Sequence, residues 1–290
     1  MKRQKSFENE MPTCYIVATP IGNLEEMTPR AIDILKNVDV IACEDTRHTQ
    51  KLLKHFNIEN KVISHHDHNE RESAKGILML LMQGNNVALV SDAGYPLISD
   101  PGYLLVESIT AHGFNVVPIS GSSALLAGVV ASGLITQPFL FQGFLPANDK
   151  EARGVLTRIR HYEATIVLYE APHRIEKTLK LCLEVMGDRK ATLARELTKK
   201  HEEFLRGTLF ELVEEAKDLK GEMVLIIEGS KAEKEPDISM MDIRTHIEEL
   251  IQSGLSTKDA IKQIAKMTGM SKNEIYTMFH NENNLNNVNH

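Results

Sequence analysis

The chain has too few cysteines to be held together by them. Cys14, Cys43 and Cys182 are the only three in 290 residues, and they are widely spaced. Neither a disulfide framework nor a zinc spacing follows, and a reducing cytoplasmic compartment is the expectation. Long apolar runs are missing as well. The longest, around residues 124–135, is short and interrupted by Gly and Ser, so it does not span a bilayer. The first eleven residues are polar and lack the apolar segment of a secretory signal. Positive charge is not in excess: 33 Lys and Arg face 40 Asp and Glu, for a net charge of −7. That excludes a uniformly basic coater of nucleic acid but not a local basic cleft. Two phosphate-binding signatures are absent, since no segment reads G-x-x-x-x-G-K-[ST] or G-x-G-x-x-G.

What the chain does have is a regular alternation of strand and helix. Strand-like runs fall at residues 15–19, 38–43, 61–64, 87–90 and 115–119. Helical patterns lie between them at about 28–37, 48–56, 70–82 and 103–112. Thr28 and Pro29 suit the N-cap and first position of the first helix, and Ile32, Leu35 and Val38 form its stripe. Strict alternation implies a mostly parallel sheet with helices on both faces. The second half repeats the theme, with strands at 139–142, 165–169, 191–195 and 223–227 and helices near 149–161, 173–186 and 208–216. The expected class is α/β: an N-terminal α/β domain over 12–121, a second over 122–230 and a C-terminal helical domain over 242–280. A charged linker at 230–241 and an Asn-rich, disordered tail at 281–290 complete the reading.

Four loops fall at carboxyl ends of strands in the first half, at 20–24, 44–47, 91–102 and 120–124. In a parallel sheet these ends share one edge, where ligands bind. The loop at 91–102 reads SDAGYPLISDPG. Pro96 and Pro101 stiffen it, and Gly94 and Gly102 open it, so its backbone groups can approach a small molecule closely. Convergence of such loops implies a pocket for a polar small molecule.

These segments resemble the tetrapyrrole methylase superfamily, and within it the branch that methylates ribose in small-subunit ribosomal RNA. The matching stretches run in order through nearly the whole chain: TPIGNL, TPRAIDIL, ACEDTRHTQKLL, HNE, SDAGYPLISDPG, FLFQGFLP, LYEAPHRI, RELTKKHEEF and GEMVLIIEG. Tyr95 stands where the family usually has Thr, and Ser120-Gly121-Ser122-Ser123-Ala124 where it reads PGPSA. The resemblance implies two tetrapyrrole-methylase-type α/β domains with S-adenosylmethionine in the cleft between them. It implies a cytidine ribose of 16S ribosomal RNA as acceptor and a homodimer as the assembly. Cofactor contact is carried over to Asp92, Ala93, Gly94, Pro96, Ser123, Ala124, Tyr169, Glu170 and Gly221.

A ribose hydroxyl is a poor nucleophile until its proton is removed. Glu44 and Asp45 are the candidate bases, with Arg47 placing a phosphate, because paired carboxylates can have their pKa values pushed apart. The competing reading makes Asp45 or Thr46 the cap of the next helix and leaves Glu44 solvated. Arg195 and Lys199 are the candidate RNA contacts, from a basic cluster that also holds Lys200 and Arg206. Arg153, Arg158 and Arg160 form a second cluster, and the bland reading of both is solvated faces balanced by Glu151, Glu202 and Glu203. His65, His66 and His68 look like a metal cluster but lack a supporting fourth ligand, so no metal is expected. The segments Ser256–Asp259 and Ser271–Glu274 suggest two capped helices in a helix-turn-helix arrangement that helps to hold RNA. Two other functions stay open at this point: methylation of a corrin-type small molecule, and a noncatalytic RNA-binding or assembly role.

Overall fold

The computed structural model describes residues 3–6, 8–66, 70–231, 240–268 and 270–281. Two compact units divide the chain, Met1–Ser230 and Lys231–His290. The larger unit contains both predicted sheets. Its first sheet is built from β1 (Thr13–Val17), β2 (Val40–Cys43), β3 (Val62–Ser64), β4 (Val87–Val90) and β5 (Asn115–Ile119). They run parallel in the order β3-β2-β4-β1-β5.

Helices α1 (Pro29–Asn37), α2 (Thr46–His55), α3 (Glu70–Met82) and α4 (Tyr103–His112) cover this sheet. Alternation along each strand decides which helix lies where. Val17, Ile41, Val90 and Ile119 point to the side holding Leu35 of α1 and Leu53 of α2. Ile16, Ala42 and Leu89 point to the other side, holding Leu81 of α3 and Ile109 of α4. Neighbouring strands β1 and β4 therefore send their chains to opposite faces. Such divergence opens a crevice at the carboxyl ends of the two strands, where open α/β sheets bind ligands.

After α5 (Ala124–Ala131) the second sheet follows, from β6 (Phe139–Phe144), β7 (Thr165–Glu170), β8 (Lys190–Arg195), β9 (Glu203–Thr208) and β10 (Met223–Ile227). Its order is β6-β7-β10-β8-β9, and only β6 and β7 are parallel. The edge strand β9 is absent from the sequence reading. Its burial is nowhere complete, so it lacks the apolar run or clean alternation that marks an inner strand. Helices α6 (Asp149–Ile159), α7 (Ile175–Met186) and α8 (Leu209–Glu215) pack on one face, where Leu168, Leu193 and Leu225 meet Leu156, Leu179 and Leu212. On the other face Val167, Ala194 and Val224 meet Val129 of α5 and Ile21 from the loop after β1. That shared core holds the carboxyl-end loops of the first sheet against the second.

Among its described residues the smaller unit has three helices, α9 (Met240–Gln252), α10 (Thr257–Thr268) and α11 (Lys272–Asn281). Ile247, Ile261, Ile264 and Ile275 form its core. The caps are those the spacing suggests. Asp259 donates its backbone N–H to Ser256 Oγ at 3.2 Å, and Ser271 and Glu274 make a reciprocal capping box. Residues 232–239 of the expected linker and 282–290 of the expected tail lie outside the described residues. Among the described residues no helix is long and apolar enough to cross a membrane.

Candidate active site

The loop at 91–102 is anchored at both ends. Thr19 and Gly94 exchange backbone hydrogen bonds at 2.9 and 3.0 Å, and Thr19 Oγ1 donates to the Ser91 carbonyl at 3.1 Å. At the far end Gly102 N–H donates to Glu70 Oε1 at 2.9 Å. Between the anchors Leu97 and Ser99 sit at φ of 70° and 67°, a strained backbone of the kind that concentrates at ligand sites.

A cleft of about 390 Å³ opens beside this loop, within the size range of small-molecule sites. Asp92, Ala93, Gly94, Tyr95 and Asp100 form one wall, Ser123 and Ala124 the start of α5, and Phe144, Tyr169, Glu170 and Glu222 the second-sheet side. Four acidic residues are among those lining it and no Lys, Arg or His is, though the Glu170 carboxylate is turned to Thr178 and Arg174 and Glu222 is paired with Lys199. Tyr169 is pinned: its hydroxyl accepts from Leu125 N–H at 3.0 Å, and Phe141 and Phe144 meet its ring edge-on at 4.9 and 5.7 Å. Burial pushes the Tyr169 phenol above its ordinary pKa. Glu170 is buried, accepting from Ala171 N–H at 2.8 Å and Thr178 Oγ1 at 2.5 Å, with Arg174 Nε 3.4 Å away. Ser123 caps α5, accepting from Leu126 N–H at 3.3 Å.

A family profile described as Tetrapyrrole (Corrin/Porphyrin) Methylases matches residues 13–213, across both sheets. The chain belongs to the tetrapyrrole methylase family. Its similar curated relatives include a protein of Halalkalibacterium halodurans, 46% identical over 97% of this chain and 100% of its own. One from Bacillus subtilis is 44% identical over 97% and 99%. Both carry the name "Ribosomal RNA small subunit methyltransferase I". Among solved structures, a diphthine synthase superposes with a TM-score of 0.59 at 14% identity, covering 75% of this chain and 89% of its own. A uroporphyrin III C-methyltransferase from Thermus thermophilus gives 0.53 at 20%, covering 75% and 97%. These two likenesses are of fold.

In this tetrapyrrole methylase, seven of the nine residues assigned to cofactor contact line the cleft: Asp92, Ala93, Gly94, Ser123, Ala124, Tyr169 and Glu170. Pro96 and Gly221 do not. Pro96, within the loop, is buried. Gly221, at φ 91°, gives way to the Glu196 side chain, which a Cβ there would meet at 2.4 Å. Tyr95, the departure from the family pattern, lines the cleft and accepts from Gly121 N–H at 3.3 Å. The sequence reading missed Asp100, Phe144 and Glu222. Asp100 lay within the quoted loop, and Glu222 is next to Gly221.

Glu44, Asp45 and Arg47 stand outside the cleft wall, joined to it where Asp45 N–H donates to Asp92 Oδ1 at 3.3 Å. Asp45 caps α2, accepting from Arg47 N–H at 2.8 Å, and pairs with the Arg47 guanidinium at 3.0 Å. Those bonds hold its carboxyl down at about 2, which makes it a weak proton acceptor at neutral pH. A lowered native pKa stabilises the fold above the unfolded value, and that contribution is lost as pH falls through the native one. Asp45→Asn keeps a capping residue and loses the charge. Wild type is therefore expected to melt above Asp45→Asn near neutrality, with the gap closing between about pH 4 and 2. A gap that persists unchanged at pH 2 removes the ion pair as its source.

Four members of the two basic clusters hold carboxylates or carbonyls. Arg195 pairs with Glu203 and donates to the Lys220 carbonyl at 3.1 Å. Lys199 reaches Glu196 at 3.0 Å and Glu222 at 3.2 Å. Arg206 donates to the carbonyls of Ala131 and Ser132 at the end of α5, at 2.7 and 3.3 Å. Arg153 pairs with Glu184 at 2.7 Å. Arg195 ends β8, the strand expected there, and pairs with Glu203 as the solvated-face reading has it, whereas Arg206 lies on β9, a strand absent from the sequence reading.

His65 is buried, with Nδ1 2.7 Å from Ser73 Oγ. His68 lies outside the described residues. Among the described residues no group of three His, Cys, Asp or Glu side chains is placed to hold a metal ion.

Proposed function

We propose that the protein transfers a methyl group from S-adenosylmethionine to the 2′-hydroxyl of a cytidine ribose in 16S ribosomal RNA, acting as a cytoplasmic homodimer. The observation that carries this reading is the cleft at the carboxyl ends of β1 and β4, lined by Asp92, Asp100 and Glu222 and by no Lys, Arg or His. Such a lining suits a ligand with two cationic groups. Ser123 and Ala124 bring the positive end of α5 to the same wall, where an anionic group is favoured. A bound S-adenosylmethionine supplies an electrophilic methyl group on a cationic sulfonium, with an amino acid tail whose charges match these two features. The end-to-end relatives named for the small ribosomal subunit support RNA over a corrin as acceptor.

The chain's own contribution is alignment and exclusion of water. Asp92, Asp100 and Glu222 offset positive charge, Glu170 is fixed by its three partners, and the Tyr169 ring lines the cleft. With Asp45 occupied as a cap, Glu44 is the proposed proton acceptor of this loop, and Arg47, 87% exposed at its side chain, the proposed phosphate contact. Arg195 and Lys199 are proposed to meet RNA through the exposed remainder of their ion-paired groups. Leu126, Val130 and Ile135 leave an exposed apolar patch on and after α5, which supports a dimer contact.

Incubation with labelled S-adenosylmethionine and either 30S subunits, naked 16S RNA or a corrin precursor tests the reading. The expected result is label in 16S RNA at an alkali-resistant linkage, because a methylated 2′-oxygen no longer attacks its phosphate. Label in a base removes the ribose acceptor. Transfer only to the corrin supports the small-molecule reading, and RNA binding with no donor binding supports the noncatalytic one. Sedimentation as a monomer removes the dimer.

A further inference from the structure

The last residue of β6, Phe144, is 50% exposed although it lines the cleft. Its placement depends on an irregularity. Phe141 and Phe144 are three residues apart, so a regular strand would turn them to opposite faces. The register against β7 slips between them: Phe141 pairs with Val167, Gly143 with Leu168 and Phe144 with Tyr169. Gln142 is the extra residue, and Gly143 takes a φ of 73°, a conformation that favours glycine. The bulge turns Phe144 to the face of Phe141, against Tyr169. Bulges beside active sites commonly re-aim a side chain in this way.

The result is a row of three rings. Phe141 and Phe144 flank Tyr169, which is fixed through its hydroxyl to α5. The outer ring alone stands half-open to solvent, and Ile98 from the opposite wall, 42% exposed, also lines the cleft. The flat apolar surface at this mouth stands among carboxylates, with Asp100 and Glu222 on the lining. A phosphodiester is repelled there, whereas the face of a nucleobase is not. Where the acceptor nucleotide is unpaired, its base can be splayed out and held on an aromatic side chain.

We infer that Phe144 is the stacking platform for the base of the acceptor nucleotide, a positioning contact presented by the Gly143 bulge. The inference rests on the proposed RNA acceptor. Base–aromatic stacking is sequence-tolerant and lost on removal of the ring, so Phe144 supplies grip on the nucleotide, and its identity is read elsewhere.

The test compares wild type, Phe144→Leu and Phe144→Tyr, each checked for an unchanged melting transition. Donor affinity is measured by calorimetry with S-adenosylmethionine alone, and KM and kcat with 30S subunits. Phe144→Leu is expected to raise KM for the subunit about tenfold, with donor affinity unchanged, and Phe144→Tyr to restore most of that loss. Wild-type KM and kcat in Phe144→Leu overturn the inference. So does weakened donor binding with an unchanged subunit KM, which assigns the ring to the donor. Equal loss in Leu and Tyr variants also overturns it, because a ring in either form should stack. Failure of the parent reading shows separately, as wild-type protein that labels no RNA.

Discussion

Gly221→Ala is expected to cost about 2–4 kcal/mol of stability and to weaken S-adenosylmethionine binding about tenfold or more. Two independent penalties meet at this position. Its φ of 91° lies in the left-handed region, where a side chain costs about 1–2 kcal/mol. The added Cβ would also lie 2.4 Å from both Cγ and Oε1 of Glu196, far inside contact distance, so Glu196 must move. Glu196 is not free to move cheaply. It donates its own N–H to the Glu222 carbonyl at 3.0 Å, accepts from Glu222 N–H at 3.2 Å and holds the Lys199 ammonium at 3.0 Å. The Lys199 bond is the main cause that holds its carboxyl below the usual range. Displacing it loosens Glu222 and Met223, which line the cleft. Denaturant unfolding measures the first effect and calorimetry with the donor the second. Wild-type stability would show that Glu196 has a second place to go. Lost stability with wild-type donor affinity would detach Glu222 from the donor.

The first sheet is legible in the chain because its central strands are buried on both faces. The runs VIAC and VALV are apolar at every position, each fully buried, which is how a parallel strand reads. Helix starts are legible for a local reason: Thr28 before Pro29, Ser123 and Ser271 cap through atoms within three residues. Edge strand β9 is not legible, because its half-buried EFLRGT carries neither an apolar run nor an alternation. The cleft divides along the same line. Its loop at 91–102 announces itself by composition, whereas Phe144 reaches the cleft through a register slip and Glu222 through its bonds to Glu196 just before β10. Neither is encoded in local spacing. The EDTR segment shows a different limit. An acid before a helix is equally a cap or a base by spacing, and only the bonds from Arg47 assign Asp45 to capping. Cations invite phosphates in a sequence, but the partners of Lys199 include Glu222, 23 residues away.

Arg174→Met is expected to destabilise the protein by about 3 kcal/mol, and more than the double variant Glu170→Gln/Arg174→Met does. The Glu170 side chain has no exposure at all, and Arg174 retains 27%. Removing the arginine leaves a buried carboxylate with two neutral donors, Ala171 N–H and Thr178 Oγ1. Those bonds offset part of the charge burial, but they do not supply a counter-charge. Neutralising the acid in the same chain removes the burial penalty, while Gln keeps an oxygen for Ala171 N–H and can donate its NH2 to Thr178 Oγ1, so stability partly returns. Glu170→Gln alone is milder, about 1 kcal/mol, because the stranded guanidinium is partly solvated and keeps the Leu145 and Pro146 carbonyls at 2.8 and 3.2 Å. Those two carbonyls follow Phe144 directly, so Arg174→Met also frees the chain that carries the ring. The subunit KM should therefore rise in both variants that lack Arg174 and stay near wild type in Glu170→Gln. A thermodynamic cycle over the four proteins measures the pair's coupling. Zero coupling would mean that the 3.4 Å contact contributes nothing and that Thr178 and Ala171 alone hold the acid in the wall of the cleft.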